Sequence, residues 1–274
     1  MKLAQEYVDI MHISQGSIFH LSARYTIPTY FREPHKPLNT GYSEIVKQHL
    51  HIPVAVVGMI TTLEEAEEII ASGKADIVAM AKSFMADGDI VHKSLAGEAG
   101  KVRPCTRCDL CGNANTWGTS MSCAINPRCG IYGEIEQVPE ADRKKVMVIG
   151  GGPAGMMAAQ ILQQRGHSAS LYEKSDRLGG LLNDACLVPF KQLMREYVEW
   201  DVRETMACGA SVHLNTEVTE ELIEKENPDA IIVATGSVYM NPPISGIENA
   251  LAVRDVDANT VETGTSVEVC GGGI

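Results

Sequence analysis

Apolar and polar positions in the first hundred residues alternate between two periods. Short apolar runs at 8–13, 54–57 and 77–80 read as strands, and the stretches between them read as amphipathic helices at 43–50 and 62–72. Thr62 and Glu65 have the spacing of a capping box that opens the second helix, and Gly73 is placed to close it. Runs that are apolar on both faces and separated by helices predict a parallel sheet covered on both sides. From 98 to about 142 this periodicity disappears and Gly, Cys, Pro and Asn take over. Such a segment has little core of its own and must be ordered by something else, which a metal would supply.

Periodic α/β sequence resumes at Lys145 with a strand, a glycine-rich turn, and a helix over 153–165 closed by Gly166. A strand at 168–173, a long helix at 191–207, a strand at 211–214 and a buried strand at 230–236 follow. Residues 267–274 start a second strand-and-glycine turn and stop inside it. The expected organisation is therefore 1–97, 98–142, 143–250 and 251–274.

Bulk properties narrow the partners. The chain has 274 residues, 45% of them hydrophobic, enough for real cores. A formal charge of −12 and a pI near 5.1 argue against a nucleic-acid or anionic-membrane surface, which needs clustered basic residues. No apolar run is long enough to span a bilayer, and acids interrupt the N-terminus where a signal peptide would be apolar, so a cytoplasmic location is expected. The eight cysteines then read as thiols rather than disulfides.

Four of those cysteines are patterned: Cys105, Cys108, Cys111 and Cys123. Three thiolates on one tight loop can cap three corners of a cubane, with a fourth arriving after a short excursion. A structural zinc is the alternative, although zinc sites usually use two separated CxxC pairs. Cys129, Cys186, Cys208 and Cys270 have no partner spacing and are expected to be small buried hydrophobes.

A second motif begins less than thirty residues later. Gly150, Gly152 and Gly155 follow a Val/Ile strand directly, and Pro153 and Ala154 open an Ala-rich helix. Glu173 ends the next strand, where an acid binds a ribose hydroxyl. Bare glycines let the backbone approach a pyrophosphate, and the helix N-terminus stabilises its charge. Gly180 and the turn Ala234, Thr235 and Gly236 are further places where a backbone passes close to such a ligand. A metal cluster beside a dinucleotide turn suggests an electron relay.

Together these residues resemble the old-yellow-enzyme-type NADH:flavin oxidoreductases that carry an iron–sulfur cluster, a family that includes 2,4-dienoyl-CoA reductase, 2-enoate reductase and trimethylamine dehydrogenase. The similarity runs through 52–60 and 75–87 as the last two strands of a barrel, 103–127 as the cluster segment, and Glu173, Lys174 and Gly180 with 234–236 as flavin-domain turns. The resemblance implies the C-terminal part, strands six to eight, of an FMN-binding (β/α)8 barrel, then a 4Fe–4S segment, then an incomplete Rossmann-like FAD- and NAD(P)-binding domain. It implies electrons passing from NAD(P)H to FAD, the cluster and FMN, and on to the activated C=C bond of an enoate or enoyl thioester. Gly58, Ala81 and Lys82 would lie at the FMN phosphate, with Lys82 where the family usually has Arg. His20 would protonate the substrate. An amine dehydrogenase with structural ADP, or an inactive fragment or electron-transfer module, are the alternatives. A complete barrel needs eight strands, so the chain reads as the middle of a longer enzyme whose barrel a partner chain could complete.

Overall fold

β2 (Val54–Val57) is apolar on both faces, and that places it at the centre of the first sheet. Val54 packs with Ile13 and Leu50, while Val56 packs with Ile60, Ile69, Ala75, Met80 and Ile90. β1 (Met11–Ile13) and β3 (Ile77–Ala79) flank it, both parallel, in the registers Met11↔Val54 and Ala55↔Ile77. The computed structural model describes residues 2–14, 35–112, 120–131 and 137–271.

Helices Thr40–Lys47 and Leu63–Ala71 make the two crossovers. The second begins with the expected box: the Thr62 hydroxyl accepts from Glu65 N at 3.1 Å, and the Glu65 carboxylate accepts from Thr62 N at 3.4 Å and Thr61 N at 2.6 Å. The first begins three residues before its expected start, taking in Gly41. Burial of Ser43, whose hydroxyl donates to Thr40 O, outweighs the weak helix propensity of that glycine.

The chain divides into two compact units: Met1–Glu134 with Gln192–Trp200, and Ile135–Lys191 with Asp201–Ile274. In the second unit β4 (Lys145–Ile149) is central, and the order is β6-β5-β4-β7, all parallel. β5 is Ser168–Tyr172, β6 Ser211–His213 and β7 Ala230–Val233. Val148 and Leu171 from the sheet pack with Met156 and Ala159 of the helix Pro153–Gln164. Behind that helix is a wholly buried polar group: Gln160 Nε2 donates to Asp201 Oδ1 and to Thr205 Oγ1, both at 2.8 Å.

Three expectations are corrected. The run at 230–236 is not a fully buried strand: β7 lies at a sheet edge, with Ile231 40% and Val233 71% exposed. No strand forms at 267–271, where no neighbouring strand satisfies the backbone and Val267 and Val269 are exposed. Of the four unpatterned cysteines only Cys186 is buried; Cys270 is exposed in that same partnerless stretch, and Cys129 and Cys208 are half-buried. Among the described residues no helix is long and apolar enough to cross a membrane.

Within the first unit, His35 takes a left-handed φ of 53°. Its Nδ1 lies 2.9 Å from Glu65 Oε1 and its Nε2 3.1 Å from both oxygens of Glu196. Carboxylates only accept, so the doubly protonated imidazolium is the form in which both ring nitrogens donate to them. Burial opposes that charge, but Glu196 and Glu65 outweigh it and raise the pKa above its ordinary 6.5. A group whose folded pKa is raised stabilises fully below its unfolded pKa and loses that contribution as pH rises through the folded value. A His35→Gln variant should therefore melt below the parent at pH 5.5, and the difference should vanish by pH 8.5; equal differences at both would refute the ion cluster.

Candidate functional site

The second unit's candidate site is built by removing side chains. Gly150, directly after β4, has φ 107°, and a Cβ there would lie 2.3 Å from Ala234 O. A Cβ on Gly155 would lie 1.8 Å from Gly150 O. The turn thus closes only with glycine at both positions, and it brings Ala234 from the end of β7 against the end of β4. Gly152 is the N-cap of the helix, Pro153 follows at its start, and no side chain caps the first turn. Its backbone N–H groups are left to a ligand. Gly180, at φ 54°, places its Cα against Gly152, where a Cβ would come within 3.0 Å.

Glu173 closes the same edge. Its Oε2 accepts from Gly151 N at 2.6 Å, and its Oε1 from Ser175 N and Oγ at 2.8 Å. Burial disfavours the carboxylate, yet the hydrogen bonds from Ser175 and Gly151 and the neighbouring Lys174 lower its pKa overall. This carboxylate braces the glycine turn, and its remaining lone pairs stay available. Lys174, Thr235 and Gly236 are exposed.

In the first unit Cys105, Cys108, Cys111 and Cys123 line one small pocket, together with Lys82, Arg107 and Asp109. Arg107 and Asp109 have φ 54° and 65°, left-handed values that cost a non-glycine residue energy. The Arg107 backbone N–H donates to the Cys105 sulfur. Burial pushes the Cys105 thiol up, opposed by Arg107 and reinforced by Cys123 and Cys108. The Cys111 thiol is likewise raised by burial, with Lys82 pulling it down and Cys123, Asp109 and Cys108 pushing it up. Among the described residues no three His, Cys, Asp or Glu side chains converge on one ion position.

Side-chain hydrogen bonds fasten this loop to the segment after β3. Asp87, 5% exposed, accepts from Arg103 N at 2.9 Å and from Lys93 Nζ at 2.6 Å. Asn126 Nδ2 donates to Met85 O at 2.9 Å, and Arg103 Nη1 to Ala86 O at 3.3 Å. Lys82, on the helix Ala81–Ala86, donates to Asp109. Gly58 follows β2 with φ 126°, and a Cβ there would strike Asn39 Nδ2 at 2.7 Å. Asn39 itself is buried, and its Oδ1 has no donor among the described residues.

Sequence reasoning missed Arg107, Asp109, Asp87 and Asn39. Only their charge or polarity, beside a cysteine or at a helix end, hinted at them. The expected His20 lies outside the described residues.

Residues 2–99 match the NADH:flavin oxidoreductase / NADH oxidase family, and residues 144–274 match the pyridine nucleotide-disulphide oxidoreductase family. The chain is 37% identical over 246 residues to a bilirubin reductase of Mediterraneibacter gnavus, covering 89% of this chain and 38% of that protein. It is 33% identical over 241 residues to a cinnamate reductase of Clostridium sporogenes, covering 87% of this chain and 36% of that one. A 2-naphthoyl-CoA reductase structure in complex with 2-naphthoyl-CoA superposes with a TM-score of 0.82 at 28% identity, over 94% of this chain and 39% of that chain. The chain thus spans about two fifths of the length of the proteins it matches.

The glycine turn makes a sharp test. Gly155→Ala, which drives a Cβ into Gly150 O, should cost about 1–3 kcal/mol or more of stability in the second unit. Gly41→Ala, with nothing within 4 Å of the new Cβ inside a helix, should be neutral or stabilising by up to about 1 kcal/mol. Chemical denaturation of both variants checks this, and a Gly155→Ala protein as stable as the parent would contradict the geometry.

Proposed function

The chain belongs to the NADH:flavin oxidoreductase / NADH oxidase family, the old yellow enzyme group, and we propose that it serves an oxidoreductase that draws electrons from NAD(P)H through FAD and a 4Fe–4S cluster to FMN, reducing an activated C=C bond of an enoate or enoyl thioester. The names of a cinnamate reductase and a 2-naphthoyl-CoA reductase among its relatives support that substrate class. The observation that carries the proposal is the shared cavity of Cys105, Cys108, Cys111 and Cys123 on a loop fastened to the segment after β3.

Four cysteines lining one pocket supply the donor set that the corners of a cubane need, and the same four thiolates would also suit a structural zinc. The N–H of Arg107 on Cys105 is the kind of donor that stabilises a thiolate ligand. When bound, the cluster supplies one-electron steps between a two-electron hydride donor and a second flavin.

For FAD, the uncapped first turn of Pro153–Gln164 would hold the pyrophosphate, with Gly150, Gly152, Ala154 and Gly155 keeping side chains out of its way. Glu173 would accept from a ribose hydroxyl, with Lys174, Gly180, Ala234, Thr235 and Gly236 bordering the ligand. For FMN, Gly58 and Ala81, each following a parallel strand, would bind the phosphate. The donorless Oδ1 of Asn39 offers a buried acceptor beside Gly58 for a flavin hydroxyl. Lys82 would reach that phosphate only by releasing Asp109. His20 would donate the proton that completes alkene reduction, and the enzyme would work in the cytoplasm on a small molecule, without nucleic acid or membrane.

Native mass spectrometry and iron–sulfide analysis of chain purified without oxygen test the proposal. Four irons and four sulfides with FAD are expected, and Cys105→Ala should lose the iron but keep the FAD. One zinc per chain would overturn the cluster, and ADP in place of FAD would favour an amine dehydrogenase. Bound FMN as well would indicate that a partner chain completes the barrel.

A further inference from the structure

Lys82 is the one residue of the helix Ala81–Ala86 that lines the cysteine cavity, and its ammonium is engaged by Asp109, between Cys108 and Cys111. The Asp109 side chain is 13% exposed, so water screens this pair only partly. The Asp109 backbone is left-handed, and its carboxylate lies over Gly112, where a Cβ would meet its Oδ1 at 2.7 Å.

We propose that Lys82 and Asp109 form a charge pair that sets the reduction potential of the group held by the four cysteines, the lysine raising it and the aspartate lowering it. The proposal rests on the cysteines holding a redox-active cluster. A cluster with its thiolates is an anion, and reduction adds one electron to it without making or breaking a bond. A nearby cation favours the more negative reduced form and a nearby anion disfavours it. Both side chains line the same pocket as Cys105, Cys108, Cys111 and Cys123. The arrangement gives Lys82 a task at the cysteine loop that a residue bound to a phosphate could not perform at the same time.

The test is a dithionite titration of the whole chain, loaded anaerobically and followed by electron paramagnetic resonance. Lys82→Met leaves Asp109 uncompensated and should lower the midpoint by about 59 mV, a tenfold change in the equilibrium for a one-electron couple. Asp109→Asn leaves the lysine in place and should raise the midpoint. Lys82→Arg should stay near the parent, and Lys82→Met combined with Asp109→Asn should fall between the two single variants. Should Lys82→Met fail to load, Asp109→Asn still decides the matter. Midpoints unmoved in a loaded parent and loaded variants overturn the charge-pair claim alone. A parent chain with no iron and no reducible signal overturns the cluster reading, and this proposal with it.

Discussion

Parallel pairing is the constraint on which both candidate sites depend. When every strand of a sheet runs the same way, every carboxyl end meets one edge, and whatever follows those strands gathers there. In the first unit this sets Gly58 after β2 and Ala81 after β3. In the second it sets Gly150 after β4, Glu173 after β5 and Ala234 after β7. None of these residues touches another because of sequence proximity: 84 positions separate Gly150 from the Ala234 whose carbonyl its missing side chain makes room for. The apolar runs that drive pairing are thus the cause of the chemistry as much as of the core.

The cysteine segment obeys a different logic. Among its described residues only Val102, at its start, joins a hydrophobic cluster, and hydrogen bonds tie the described part to the segment after β3. Asp87 receives the backbone of Arg103, Asn126 reaches Met85 O, and Lys82 meets Asp109. These contacts bracket the four cysteines on both sides. A buried carboxylate such as Asp87 is stable only because Lys93 and two backbone donors face it. Packing by polar contacts also leaves the pocket lined by charged side chains beside the four cysteines.

Much of this was readable beforehand, and the residues show why. β2, β4 and the capping box at Thr62 and Glu65 were legible because they depend on local pattern: continuous apolar runs and a three-residue spacing. The cysteine and glycine spacings were legible as patterns, and the fold lines one pocket with the four cysteines and closes one turn with Gly150 and Gly155. What could not be read depends on neighbours far along the chain. The run at 230–236 is as apolar as β4, yet its burial depends on lying at a sheet edge. The stretch at 267–271 has strand-like residues but no partner strand. Asp87 and Asn39 are ordinary polar residues until the fold buries them.

The two sites solve opposite problems with the backbone. A turn that offers main-chain dipoles to a phosphate has side chains as its obstacle, and the glycine turn after β4 lacks them. There the left-handed φ of Gly150 is nearly free of cost. The cysteine loop makes comparable bends at Arg107 and Asp109, where glycine would relieve strain of about 1–3 kcal/mol at each position. Replacing either by glycine would also delete a charge: the guanidinium that favours ionised Cys105, or the carboxylate that holds Lys82. Both strained bends belong to residues that line the same pocket, so glycine at either would relax the backbone only by removing a charged side chain from that lining. The glycine turn presents its backbone alone, and so it can dispense with side chains altogether.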